Sequence, residues 1–372
     1  MSPARTAAAV LVLLLTLVAR GISQPSDTML EIGFAALQRG DADAAADVFR
    51  RALVNRPRDP VVLYGAGYAE HLRGHEAAAL DLLKQAVQIE PRLLQAAILL
   101  GEIASRSGDL DLAIKTYEHV LTQAPANLAV RARLESWRGE AGVAGRFEAY
   151  KDDRFTIMFD GPAQQALAAR ATATLGSAFW RIAATLGSSP ASPINVVFYT
   201  QKQFRDITGA PEWAGGGFDG QIRLPLRGAA TNLAEFDRVL VHELTHAMLD
   251  KIASRNVPAW LHEGLALHFE GHDAALAGRR LSAARVFVPL RVLQTGFARL
   301  DALQAGVAYE ESAYAADALL TRIGPQGLAA LLADLDNGQP IEAAVQRFGF
   351  TLAAFEADLA TKLNVRPLPI SD

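Results

Sequence analysis

The stretch 232–250 reads Asn-Leu-Ala-Glu-Phe-Asp-Arg-Val-Leu-Val-His-Glu-Leu-Thr-His-Ala-Met-Leu-Asp. Leu233, Phe236, Leu240, Leu244 and Met248 recur at three- and four-residue steps, the period of a helix. Asn232 offers an N-cap, and Glu235 three residues later completes a capping-box pattern. On such a helix His242 and His246 fall one turn apart on the same face. Two imidazoles so placed reach one Zn²⁺, with Glu243 beside them as general base. After one short connection, 258–266 reads Pro-Ala-Trp-Leu-His-Glu-Gly-Leu-Ala, and 260–269 is predicted helical. That second helix offers the carboxylate of Glu263. A catalytic zinc takes three protein ligands and keeps a fourth position for water. His242, His246 and Glu263 make that set, for one Zn²⁺ per chain. The rival reading is a surface helix that matches the pattern by coincidence. The second segment weighs against it, as does the clustering of His242, His246, His262, His268 and His272, five of the chain's eight histidines.

These two segments resemble the gluzincin metallopeptidases of the MA clan. The likeness is greatest to bacterial peptidase MA-like domains and more distant to the aminopeptidase N type, with its W-L-N-E-G-F-A segment. The resemblance implies an α+β thermolysin-like metallopeptidase domain, Glu263 as third zinc ligand, and a peptide or protein substrate. Sixteen residues separate His246 from Glu263, fewer than is usual in thermolysin-like and aminopeptidase N-like enzymes, which suits the smaller MA-like domains. The thermolysin-type aspartate four residues after the third ligand is replaced by Leu267. Glu270 is then the candidate to orient a ligating histidine, against the plainer reading of a solvated surface residue. Downstream, Ala308-Tyr309-Glu310-Glu311-Ser312 resembles the Y-E-K-G helix of the aminopeptidase N family. That likeness gives Tyr309 the role of oxyanion donor. The alternative is a core tyrosine on an amphipathic helix, and Tyr314 takes the role if the register shifts.

The remaining chain carries a second pattern. Gly33, Gly67 and Gly101 are spaced by 34 residues. So are Gly40, Gly74 and Gly108, then Ala45, Ala79 and Ala113, then Pro57, Pro91 and Pro125. This is the tetratricopeptide (TPR) period, with two helices per unit. The first glycine admits close helix approach, the second ends the first helix, the alanine sits at the tight crossing, and the proline ends the second helix. Phe49, Leu83 and Tyr117 supply a bulky residue at matching positions. A capping helix over 128–140 completes a domain at 26–140. Its concave face suits an extended peptide or partner helix, or else it only packs on the following domain.

Gly142 to Gly145 predicts a hinge-like linker, after which a catalytic domain runs over 146–366. Strands are expected at 154–159 and 193–199, helices at 163–186 and 201–208, and a hairpin or edge strand at 218–225. The glycines of 213–218 (Trp-Ala-Gly-Gly-Gly-Phe) permit a close backbone approach to a ligand or a tight turn, most simply a mobile turn at the cleft rim. Beyond Tyr314 the chain reads as helical, punctuated by Gly324 and Gly338. The fold class is therefore mainly α, an N-terminal α-solenoid of TPR repeats followed by the thermolysin-like α+β domain.

Composition narrows the function. Of 372 residues, 51% are hydrophobic and 20% charged, with a net charge of −4 and no basic run, which gives no footing for nucleic acid. With no cysteine, disulfides and thiol chemistry are excluded. Arg5 followed by the apolar run 7–19 reads as an export signal, with cleavage after Ser23. It predicts a periplasmic or secreted protein, whose only membrane attachment would be an uncleaved signal segment. Three functions follow: a zinc endopeptidase recruiting protein substrates through its repeats, an exported scaffold with an idle peptidase-like domain, and an aminopeptidase. The last lacks a G-x-M-E-N segment to bind a free amine.

Overall fold

The computed structural model describes residues 25–368 apart from 146, 162–163, 209–215, 227–231, 254 and 298. The expected export segment, 1–23, lies outside the described residues, as does the part of the glycine-rich stretch before Gly216. Among the described residues no helix is long and apolar enough to cross a membrane.

Three helix pairs open the chain: α1 (Pro25–Gln38) with α2 (Ala42–Asn55), α3 (Pro60–Leu72) with α4 (Glu76–Ile89), and α5 (Leu94–Arg106) with α6 (Leu110–Gln123). Each column of the repeat sits where its chemistry is needed. A Cβ on Gly33, Gly67 or Gly101 would come within 2.7 Å of Phe49, 2.9 Å of Leu83 and 2.6 Å of Tyr117, respectively. The small residue and the bulky one thus interlock across each pair. Ala45, Ala79 and Ala113 are fully buried at the crossings. Phe34, Tyr64 and Tyr68 form a row of ring contacts along the first helices, with centroids 6.0 and 6.2 Å apart.

The next helix departs from expectation. α7 (Leu128–Ala144), capped by Asn127, runs through Gly142 instead of ending at a hinge. Tertiary contacts override the helix-weakening glycine. Val143 packs against a cluster of Val197, Tyr199, Phe204 and Ile207. Glu140 accepts hydrogen bonds from Arg223 at 2.5 Å and from the Tyr199 hydroxyl at 3.0 Å. The last helix of the solenoid is therefore also a layer of the following domain.

That domain is built on β1 (Phe147–Lys151), β2 (Phe155–Asp160), β3 (Ile194–Tyr199), β4 (Gly217–Phe218) and β5 (Ile222–Pro225) in the order β1-β2-β3-β5-β4. β1, unread in the sequence, and β4 pair antiparallel at the two edges, and the inner pairs are parallel. Alternation along β3 sorts its side chains. Ile194, Val196 and Phe198 enter the main core beneath α8 (Gln165–Leu186), while Val197 and Tyr199 face α7 and α9 (Gln201–Thr208).

Helices follow: α10 (Leu233–Ile252), α11 (Ala259–Glu270), α12 (Ala274–Ala284) and α13 (Ala302–Asp336), then α14 (Ile341–Ala344) and α15 (Leu352–Leu363). β6 (Val286–Phe287), after α12, pairs with β7 (Arg366–Pro367), which follows α15. α13 carries a kink where Gly324 takes φ 69° before Pro325. α11 and α13 cross at Gly264, where a Cβ would lie 2.1 Å from the Ser312 carbonyl oxygen. The glycine after Glu263 is what lets the helix of Tyr309 close over the helix of Glu263.

The solenoid meets the following domain at helix ends beside the inner turns of the first and third repeats. Arg255 donates to Asp43 at 2.8 Å, Gln221 donates to the Ser105 carbonyl at 3.1 Å, and Arg106 pairs with Asp250 at 3.5 Å.

Candidate metal centre

α10 starts where its cap predicts, with the Asn232 side chain accepting from the Glu235 amide at 3.1 Å. It presents His242 and His246 on one face, their rings edge to face. α11 returns alongside and brings in Glu263. The Nε2 atoms of the two histidines lie 3.1 Å apart. Glu263 Oε2 lies 3.8 Å from Nε2 of His242 and 3.6 Å from Nε2 of His246. Ligands about 2.0–2.1 Å from a tetrahedral Zn²⁺ stand roughly 3.3 Å from one another. The three donors bracket that separation, and they are the one group of three or more such side chains so arranged among the described residues. The residues present fit a zinc ion.

Each histidine is steered by its other nitrogen. His242 Nδ1 donates to Glu270 Oε2 at 2.9 Å. The Glu270 side chain is 1% exposed and is itself held by Arg238, which also pairs with Glu235. Glu270, the candidate for orienting a histidine, thus contacts His242. His246 Nδ1 meets His262 Nδ1 at 2.7 Å, with the two rings stacked. With Nδ1–H of His246 donating and His262 accepting, Nε2 keeps its lone pair for a metal. No sequence argument had given His262 this task, although its place beside Glu263 was in plain view.

Electrostatics suit the arrangement. Burial holds the His246 imidazole well below its ordinary pKa, with His242 and His262 acting the same way, so it is neutral and able to ligate. For His242, burial opposes the charged form, but the bond to Glu270 and the carboxylates of Glu243 and Glu263 raise it overall. Burial pushes Glu243 up to about 7, with His242 opposing and Glu263 adding. Gly216, at the foot of β4, lies against this carboxylate: a Cβ there would come within 3.2 Å of Glu243 Oε1 and 2.8 Å of Leu224. Within the described part of the glycine-rich stretch, Gly216 makes a close backbone approach to the Glu243 carboxylate.

Tyr309 lies on α13, half-buried, edge-on to Phe297 at 5.1 Å. Burial raises its pKa, and the charges of Glu263 and Glu243 raise it further. The phenol is thus kept protonated within electrostatic reach of both. Tyr314 points elsewhere, with its ring where a Cβ on Gly278 would come within 2.8 Å.

A half-buried histidine pair, a carboxylate from the next helix and a buried glutamate thus stand together in an arrangement of metallopeptidase type on an α+β scaffold. The chain belongs to the Peptidase MA superfamily, whose family model matches residues 172–364. A tetratricopeptide repeat model matches residues 94–127. No curated protein matches the sequence. Among solved structures the chain is similar to MamA, with a TM-score of 0.31 and 21% identity over 32% of this chain and 69% of that one. It is also similar to a mutant of Thermobaculum terrenum O-GlcNAc transferase, with a TM-score of 0.29 and 15% identity over 59% of this chain and 45% of that one.

Proposed function

We propose that the protein is an exported zinc-dependent endopeptidase, periplasmic or secreted, whose repeats recruit a protein substrate or partner. The observation that carries this reading is the convergence of His242 Nε2, His246 Nε2 and Glu263 Oε2 beside the buried carboxylate of Glu243. His242, His246 and Glu263 would hold the zinc. A zinc ion so bound lowers the pKa of a water ligand to about 7 and polarises a carbonyl. Glu243 takes the proton from the attacking water and returns it to the leaving amine, a task its raised pKa suits. Tyr309 donates its phenolic proton toward the carbonyl oxygen as charge develops there. His262 and Glu270 hold the imidazoles in the ligating tautomer.

The test is Glu243→Gln in the full-length protein, assayed on casein with and without chelator. The variant should bind one zinc per chain and lose about 10²- to 10⁴-fold in turnover. Undiminished hydrolysis by the variant would overturn the assignment. A wild-type protein that binds zinc and cleaves no member of a peptide library would instead be an exported scaffold.

A further inference from the structure

We infer that the third repeat holds the candidate site in shape, with Arg106 as a positioning residue that ties α10 to the strand facing Glu243. The inference rests on the peptidase reading for its catalytic consequence, though not for its geometry.

Arg106 ends α5, and its guanidinium lies 3.5 Å from Asp250. Asp250 stands one turn beyond His246 and two beyond His242, on the same face of α10. The same arginine abuts the tip of the β4–β5 hairpin. A Cβ at Gly220 would come within 2.9 Å of the Arg106 Cβ and 3.2 Å of its Cα, and Gly220 takes φ +101°, where other residues are strained. The neighbouring Gln221 is buried and donates to the Ser105 carbonyl at 3.1 Å. At the other end of that hairpin, Gly216 rests on Glu243.

The hairpin needs such a support. β4 has two residues and pairs only with β5 at the sheet edge among the described residues. So short an edge strand gains little order from its own ladder. The last residues of α5, Ser105 and Arg106, clamp its tip, and the Arg106–Asp250 pair fixes that clamp to the helix of the two histidines. Lys251 of α10, Glu76 of α4 and His71 of α3 face the same pair and complete a mixed-charge seam. A shift of the hairpin away from α10 would move the backbone at Gly216 off the Glu243 carboxylate, and misplacements of about 1 Å at a base are costly.

Three full-length variants test this: Arg106→Ala, Arg106→Lys, and the exchanged pair Arg106→Asp with Asp250→Arg. Hydrogen exchange of the 217–225 segment is measured by mass spectrometry, alongside the zinc dissociation constant and kcat and KM on a fluorogenic peptide. Arg106→Ala should speed exchange of 217–225 by about tenfold. It should lower kcat by about tenfold while KM and zinc affinity change less than about threefold. Arg106→Lys and the exchanged pair should recover part of both effects. Unchanged exchange of 217–225 in folded Arg106→Ala would overturn the inference. If the wild-type protein cleaves nothing, the peptidase reading fails, and the exchange measurement still decides the role of Arg106.

Discussion

Glu270 Oε2 accepts from His242 Nδ1 at 2.9 Å, seven residues after Glu263, where the thermolysin pattern would place an aspartate after four. The longer step along α11 is met by a longer side chain, so a glutamate two turns on reaches the imidazole. Glu270→Gln would keep the shape and lose the charge that stabilises this tautomer. Zinc affinity should fall by about 10- to 100-fold, read by competition with a chromophoric chelator. An unchanged affinity would show that Glu270 only packs.

Of the two α13 phenols singled out by the sequence, Tyr309 is held protonated by burial and by the charges of Glu263 and Glu243, and Tyr314 lies against Gly278. Tyr309→Phe should lower kcat by about 10²-fold and leave zinc binding unchanged. Tyr314→Phe should leave kcat within about twofold. Equal losses in the two variants would return Tyr309 to a packing role.

The junction between solenoid and sheet depends on a buried charge. Arg223, 4% exposed, donates to Glu140 at 2.5 Å, Tyr199 at 2.8 Å and Asp219 at 3.0 Å. Glu140→Ala would leave the guanidinium with Asp219 alone as counter-charge and should destabilise the protein by about 3–5 kcal/mol in a denaturant titration. Glu140→Leu with Arg223→Met should recover most of that loss. A double variant as unstable as the single would mean that Arg223 serves another partner.

Glu311, on the helix that crosses α11 at Gly264, supplies a pH dependence of its own. It accepts from the Val288 amide at 2.7 Å. Burial pushes it up to about 8, the Val288 bond opposing and Glu356 adding. The folded value lies above the ordinary 4.5, so the folded state binds this proton more tightly than the unfolded chain. The contribution is therefore fully present at low pH, is lost as pH rises from about 4.5 to about 8, and is absent above that range. Glu311→Gln keeps an acceptor for Val288 and removes the titration. Melting temperatures of wild type and variant should diverge in favour of the variant across that window, and parallel curves would refute it.

The parts of this architecture legible in the sequence are those set by local period. The columns of Gly33, Phe49 and their partners repeat because each pair of helices must solve the same packing problem. The histidines of α10 and Glu263 of α11 share a face by helical spacing alone. What stayed hidden depends on distant segments. Gly142 reads as a break until Val143 and Glu140 are seen docked on β3 and β5. β1 is mostly exposed, so it lacks the alternation of apolar residues by which a half-buried strand is recognised. His262 gains its role only when its ring stacks on His246, and Gly216 only when the hairpin folds over Glu243.

α7 is the last helix of one domain and a wall of the next, with no slack chain between them. A flexible tether would give a captive substrate a cloud of positions and only an effective concentration at the active site. Here a polypeptide gripped by the solenoid would arrive at one distance and one angle, as on a ruler. Such an enzyme would select its cleavage point by how far the bond lies from the gripped segment, as well as by the residues flanking it.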